Sequence, residues 1–341
     1  MLRNNKLSLY FALGSLPLVH RLMQPYRGDA AILMYHRIIP KKQRDSLNNP
    51  SVINIVSDAV FEQQIDYIRS AYHPCSLDEL QALALDDYPE EKTKGRLPVV
   101  VTFDDGYKDN LDIALPILEK HQVPATIYVS TAGLDGHSHM WWYEIWDILT
   151  AKDNLTLNWD GRQLSWNTTT EQAQIVCYLE ISDILLGLPL NEQHRCVEML
   201  RGEMQPRNYD DICLTRDEVV ELDRHPLITI GAHTHNHPNL RALSYGKASE
   251  EMLRSKQILE NLLGHSVDHF AYPHGDLRSA DAREFSLSEK CGFRTAVTTR
   301  TGKLQDGNWF ALPRTSMREE HTTRCIRAKL SGWNTFRKRD L

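Results

Sequence analysis

Several stretches of the chain are apolar without the every-second-residue alternation of a half-exposed strand: residues 30–35, 97–101, 125–129 and 227–232. A strand covered by helices on both faces has no solvent side, so such runs predict the buried parallel strands of an α/β protein. Residues 265–272 and 294–297 predict two more. Between the strands, apolar residues return at helical spacing. Val60, Phe61, Ile65 and Ile68 mark a helix over 57–70 with Ser57 as its N-cap. Residues 111–121 predict a crossover helix kinked at Pro116, 249–263 a long amphipathic helix stopped by Gly264, and 280–291 another. Strand, polar turn and helix in repetition predict an α/β fold, a distorted (β/α) barrel of about seven parallel strands.

The stretch 137–225 breaks this rhythm. It opens on His139-Met140-Trp141-Trp142-Tyr143-Glu144-Ile145-Trp146, passes through a Thr/Asn/Trp-rich piece at 155–170 that predicts a hairpin, and continues with helical patterns over 171–186 and 191–204. Thr215 followed by Glu218 is a capping box for a further helix. The stretch is expected to be a mainly helical insertion in the barrel. Trp141 and Trp142 either stack on sugar rings or anchor the insertion. Residues 40–50 form a polar loop, a lid over the site or a solvated connector, and 86–95 a charged surface loop.

Composition narrows the picture without deciding it. At 341 residues and 41% hydrophobic the chain suffices for one large domain, expected over 29–320. A net charge of −6 gives no support for nucleic acid as a partner. The six cysteines are scattered with no Cys-x-x-Cys pair, as for ordinary thiols of a reducing compartment. Residues 1–28 are expected to form an N-terminal helix, basic at its start and apolar over 7–19. That apolar run is too short for a spanning helix of about 20 residues. A helix packed on the domain, an interfacial helix giving peripheral membrane contact and a secretory signal all remain open, the last without an Ala-x-Ala-like site. A cytoplasmic or inner-membrane-surface location is expected. Residues 321–341 read as a basic terminal helix carrying Trp333 and Phe336.

Chemistry concentrates at strand ends. Asp104 and Asp105 follow the 97–101 strand, where adjacent carboxylates lose hydration and repel one another; a cation or a raised pKa resolves the conflict. Gly106 lets the chain turn sharply behind them. The second cluster, His233-Thr234-His235-Asn236-His237, follows the 227–232 strand. In a helical turn His233 and His237, four residues apart, project from one face while His235 points away. One carboxylate with two imidazoles makes a three-ligand metal set with a position left for water, and the second carboxylate is free to act as a base. His36 sits at the end of the first strand, where parallel α/β folds collect their active sites.

Thr102-Phe103-Asp104-Asp105-Gly106-Tyr107, the His233–His237 motif followed by Pro238-Asn239-Leu240, and Phe270-Ala271-Tyr272-Pro273-His274-Gly275 resemble, in this order, the motifs of the polysaccharide deacetylases, carbohydrate esterase family 4 with the NodB-homology domain. The resemblance spans roughly 30–317. Tyr35-His36 ahead of the Asp-Asp motif is similar to the permuted type, in which the acid histidine comes first; no Leu-x-His motif follows His274. The resemblance implies hydrolysis of N-acetyl groups on an acetylated glycan. Asp105, His233 and His237 would bind one divalent ion, Zn²⁺ first, with Co²⁺, Ni²⁺ or Fe²⁺ also accepted. Asp104 would be the base, His36 the acid for the leaving amine, and a backbone N–H at His274 would face the oxyanion. Tyr107, Tyr272, Pro273, His274, Gly275, Trp141 and Trp142 would touch substrate. Relatives carry an arginine at the position of Ala271 to pair with the base; Arg314, after a later strand region, is the candidate replacement. An O-acetyl esterase and a catalytically silent glycan-binding protein are the alternatives. The sugar, its linkage and the oligomeric state are not specified by these motifs.

Overall fold

The computed structural model describes residues 28–84, 93–304 and 308–332. The expected N-terminal helix, most of the 86–95 loop, and Trp333 and Phe336 lie outside them. Among the described residues twelve strands run in chain order: β1 Ala31–Tyr35, β2 Arg37–Ile39, β3 Ile55–Ser57, β4 His73–Pro74, β5 Pro98–Phe103, β6 Ala125–Val129, β7 Asn154–Trp159, β8 Arg162–Asn167, β9 Ile228–Ala232, β10 His269–Ala271, β11 Thr295–Val297 and β12 Thr315–Ser316. Side by side, the order is β11-β10-β9-β6-β5-β1-β12, with every pair parallel, and β4 adds to the start of β5. The segment before β12 also bridges Val297 through Leu312, so the last stretch of chain reaches both ends of the sheet and draws it round into the distorted barrel.

The apolar runs became strands because both their faces are covered. Val99, Val100, Val101 and Phe103 of β5 have no solvent exposure; one core cluster joins Val99, Val101 and Phe103 to Phe61, Ile65 and Ile68 of the helix Asp58–Ala71, and a second, with Ile32, Tyr128 and Ala271, takes Val100. Ser57 caps that helix, accepting from the Val60 N–H. Pro116 does not kink a continuous crossover helix. A π-helical turn, Asn110–Ala114, precedes the helix Leu115–His121, which places Pro116 in a first turn, where its missing N–H costs nothing.

Between β6 and β9 the chain builds a satellite with its own core of Trp141, Ile145, Leu149, Leu157, Tyr178, Ile181 and Leu200. It comprises the helix Trp141–Ala151, the antiparallel hairpin β7-β8, and the helices Glu171–Leu186 and Leu190–Arg201. Thr215 and Glu218 form the expected capping box at the helix Arg216–Asp223. The polar loop after β2 holds a short helix, Lys41–Asp45, and a 3-10 turn, Pro50–Asn54, which forms a wall of the cleft described next.

Candidate active site

The strand ends bring together residues far apart in sequence. β1 delivers His36, β5 delivers Asp104 and Asp105, β9 delivers His233, and the turn after β10 delivers His274. All five border an open cleft enclosing roughly 1670 Å³, walled by the Pro50–Asn54 turn on one side and by Trp141, Trp142, Tyr143 and Tyr178 of the satellite on the other.

The Asp105 Oδ1 lies 3.3 Å from His233 Nε2 and 3.2 Å from His237 Nε2. Among the described residues this is the one group of three His, Cys, Asp or Glu side chains whose donor atoms converge, all within 4.8 Å of one another. His233 Nδ1 is 2.7 Å from the Ala271 carbonyl, which fixes that nitrogen as the proton carrier and leaves Nε2 bare toward Asp105. One carboxylate oxygen and two imidazole Nε2 atoms, nearly enclosed by protein, are a donor set suited to a divalent cation.

The histidines do not converge by the expected route. Residues 233–237 form no helical turn; Thr234 (φ +65°) and His237 (φ +55°) take left-handed conformations instead. The Thr234 hydroxyl accepts the His237 N–H at 3.0 Å, and Glu251 accepts the N–H groups of His235 and Asn236 at 3.1 and 2.8 Å. Glu251 belongs to the helix Tyr245–Leu263. Spacing alone did not reveal it, because a carboxylate on a polar helix face looks solvated. Asp105 (φ +75°) and His274 (φ +60°) are also left-handed, so four of the seven such non-glycine residues described lie at this site. Strain of about 1–3 kcal/mol at each is held by the surrounding hydrogen bonds. Gly106 (φ +70°) continues the turn, and a Cβ there would sit 3.1 Å from Val129.

Asp104 is buried and receives two hydrogen bonds from Arg314, Nη1 to Oδ1 and Nη2 to Oδ2, each 2.6 Å. Burial works against the charge on Asp104, but Arg314 outweighs it, and the carboxyl titrates below its usual range. Arg314 is itself fixed by the Thr298 carbonyl (2.9 Å) and the Thr102 hydroxyl (3.1 Å). Asp105 is likewise opposed by burial and held well down by His233 and His237. Positive charge on His36 favours the ionised forms of both. The His36 carbonyl accepts from Asn110 Nδ2 at 2.8 Å, and the adjacent Arg37 pairs with Asp109 at 2.7 Å while lying 5.2 Å over the Tyr107 ring. Neither Asn110 nor Asp109 stood out in the sequence, since each acts across more than seventy residues.

The His274 ring faces His237 at 4.8 Å between centroids, and burial, with repulsion from His237, pushes it down to about 3. Among the described residues no hydrogen bond occupies its backbone N–H. Gly275 (φ +58°) is required beside it, since a Cβ would come within 2.7 Å of the Thr299 nitrogen. Trp142 packs 5.1 Å from His237 and borders the cleft together with Trp141 and Tyr107. Tyr272 corrects the expectation of substrate contact. It is fully buried, its hydroxyl donates to the Phe310 carbonyl at 2.8 Å and meets Ser288 at 2.7 Å, and it does not border the cleft. Pro273 and Gly275 likewise shape the turn without lining the cleft. Behind Asp105, His237 and Trp142 lies a second, small pocket, where His235 faces away from the cleft, 2.9 Å from Thr131.

A parallel barrel with an Asp-His-His cluster and an arginine-held carboxylate at its strand ends defines a class of hydrolytic site. The family model for polysaccharide deacetylase matches residues 91–177 and 188–296. The chain belongs to the polysaccharide deacetylase family and is a carbohydrate deacetylase, a hydrolase that removes acetyl groups from glycans. YxkH of Bacillus subtilis, a polysaccharide deacetylase by name, is 22% identical over 293 residues, 83% of this chain and 69% of its own length. The deacetylase PplD of Streptococcus pyogenes, solved with acetate, matches in fold with a TM-score of 0.57 at 20% identity, over 88% of this chain and 97% of that one. A de-N-acetylase from Aggregatibacter actinomycetemcomitans matches with a TM-score of 0.58 at 14% identity, over 88% and 99%.

Proposed function

We propose that this protein is a metal-dependent N-deacetylase acting on an acetylated amino sugar. The convergence of Asp105 with the Nε2 atoms of His233 and His237 carries this reading. These three side chains would hold a divalent ion, zinc by its preference for such donors, which supplies Lewis acidity and lowers the pKa of water toward about 7. Asp104, kept ionised by Arg314, takes a proton from the attacking water. A depressed pKa weakens a base but guarantees that it is unprotonated at neutral pH, and the bidentate pair fixes its direction. The free N–H of His274 stabilises charge developing on the acetyl oxygen. His36 protonates the nitrogen as the C–N bond breaks, a step an amine leaving group demands. The alternative of a silent protein rested on the absence of an arginine at position 271; Arg314, just before β12, pairs with Asp104 and supports an active site instead.

The test is acetate release from chitooligosaccharides or poly-N-acetylglucosamine fragments by protein loaded with Zn²⁺ or Co²⁺. Activity that persists in Asp105→Ala or His237→Ala overturns the reading.

A further inference from the structure

The two walls of the cleft come into contact. The Ser51 hydroxyl, in the Pro50–Asn54 turn, lies 3.4 Å from the Tyr178 hydroxyl, in the satellite helix Glu171–Leu186. Beside this contact stand two exposed aliphatic side chains, Ile53 at 45% and Leu179 at 60% exposure, and both border the cleft. Val176, one turn before Leu179 on the same helix, is 44% exposed. Leu277, at 66%, precedes Arg278, which pairs with Asp183 of that helix.

Scattered exposed aliphatic residues are ordinary, but Ile53 and Leu179 border one and the same cleft. In the helix, Cys177, Tyr178, Ile181 and Leu185 face the satellite core, and the outward face carries Val176 and Leu179 among the exposed polar residues Gln172, Glu180 and Asp183. Exposed apolar side chains gathered at the lips of a binding cleft mark a ligand contact. Sugar rings are met by flat aromatic faces, which Trp142 and Tyr143 supply deeper in the cleft. Branched aliphatic side chains offer no such face and no hydrogen bonds, so further sugar units at these lips would turn hydroxyls onto hydrocarbon, which is unfavourable.

We propose that the cleft takes its acetylated sugar as the head group of an amphiphile, whose long alkyl or prenyl chain leaves between Ile53 and Leu179 and runs along the Val176 side of the helix. This names the substrate class of the deacetylase proposed above and rests on that reading. The position of Ile53 and Leu179 on the lips of the catalytic cleft itself selects a substrate tail over a second copy of the chain or a bare membrane surface.

The experiment compares methyl and octyl glycosides of N-acetylglucosamine, which differ only in the tail, using the full chain loaded with Zn²⁺ and the octyl compound kept below its micelle-forming concentration. KM for acetate release from the octyl glycoside is expected to be lower by about tenfold or more. The octyl-to-methyl ratio should collapse toward one in the double variant Ile53→Asn/Leu179→Asn, whose melting temperature reports that it folds. Equal KM values for the two glycosides in the wild type, or a variant that weakens both equally, overturns the proposal. Calorimetric binding of the same pair reads the tail preference without turnover. A tail preference in binding with no acetate released from either glycoside or from chitooligosaccharides therefore sinks the deacetylase reading and leaves the amphiphile site standing, whereas equal binding sinks the site itself.

Discussion

Arg314 and Asp104, 210 residues apart, form a buried two-pronged ion pair in which Nη1 donates to Oδ1 and Nη2 to Oδ2, each at 2.6 Å. Each partner is the other's replacement for water. Arginine is suited to this because its planar fork matches a carboxylate.

Removing one partner leaves a buried unpaired charge, so Arg314→Met is expected to lose about 3–5 kcal/mol of stability at pH 7, read by urea unfolding. The pH dependence should also change sign. In the wild type the depressed pKa of Asp104 means that the pair contributes above the ordinary carboxylate range, near pH 4, and is lost only as the pH falls below it. In the variant burial is opposed only by the weaker pull of His233 and His36 and should raise the pKa, so stability should fall as the pH rises through the new value. A variant as stable as wild type, with the same pH profile, contradicts the pairing.

The two adjacent carboxylates should separate by role. Asp104→Asn is expected to keep bound zinc near one equivalent while acetate release drops about 10²–10⁴-fold. Asp105→Asn removes a charged donor and should lose the metal itself. Atomic emission on the dialysed proteins, beside the rates, distinguishes them; equal metal loss in both would refute the division.

His36 acts on the leaving group, so its removal should depend on what leaves. His36→Ala is expected to slow amide cleavage by about 10²-fold or more, within the range for a lost general acid. Cleavage of an O-acetyl sugar should suffer far less, because an alkoxide departs more readily than an amide nitrogen. Similar losses on both substrates argue against the assignment.

Tyr272 serves the fold. Tyr272→Phe leaves Ser288 and the Phe310 carbonyl without their buried partner, which should cost about 1–2 kcal/mol in a melting experiment. KM should stay at the wild-type value. A raised KM with unchanged stability would return Tyr272 to the substrate site.

The sequence by itself determined the barrel and the chemical identity of its centre. Uninterrupted apolar runs have one stable use in a soluble α/β chain, burial on both faces, and polar clusters directly behind them must emerge at the strand ends. Asp104, Asp105, His233, His237 and His36 were therefore legible as neighbours. Tertiary structure alone decided how they are held. The left-handed turns at Thr234 and His237 are held because Glu251 and the Thr234 hydroxyl satisfy the N–H groups of residues 235–237, and the Thr299 hydroxyl donates to the carbonyl of left-handed His274; no local propensity predicts such conformations. The π turn ahead of Pro116 and the inward rotation of the Tyr272 hydroxyl were settled by packing and by a donor needing a partner. Arg314 was one candidate among many arginines until barrel closure placed it across from Asp104, since a side-chain pair between distant strands depends on register and interior space, which a linear pattern of residues does not encode.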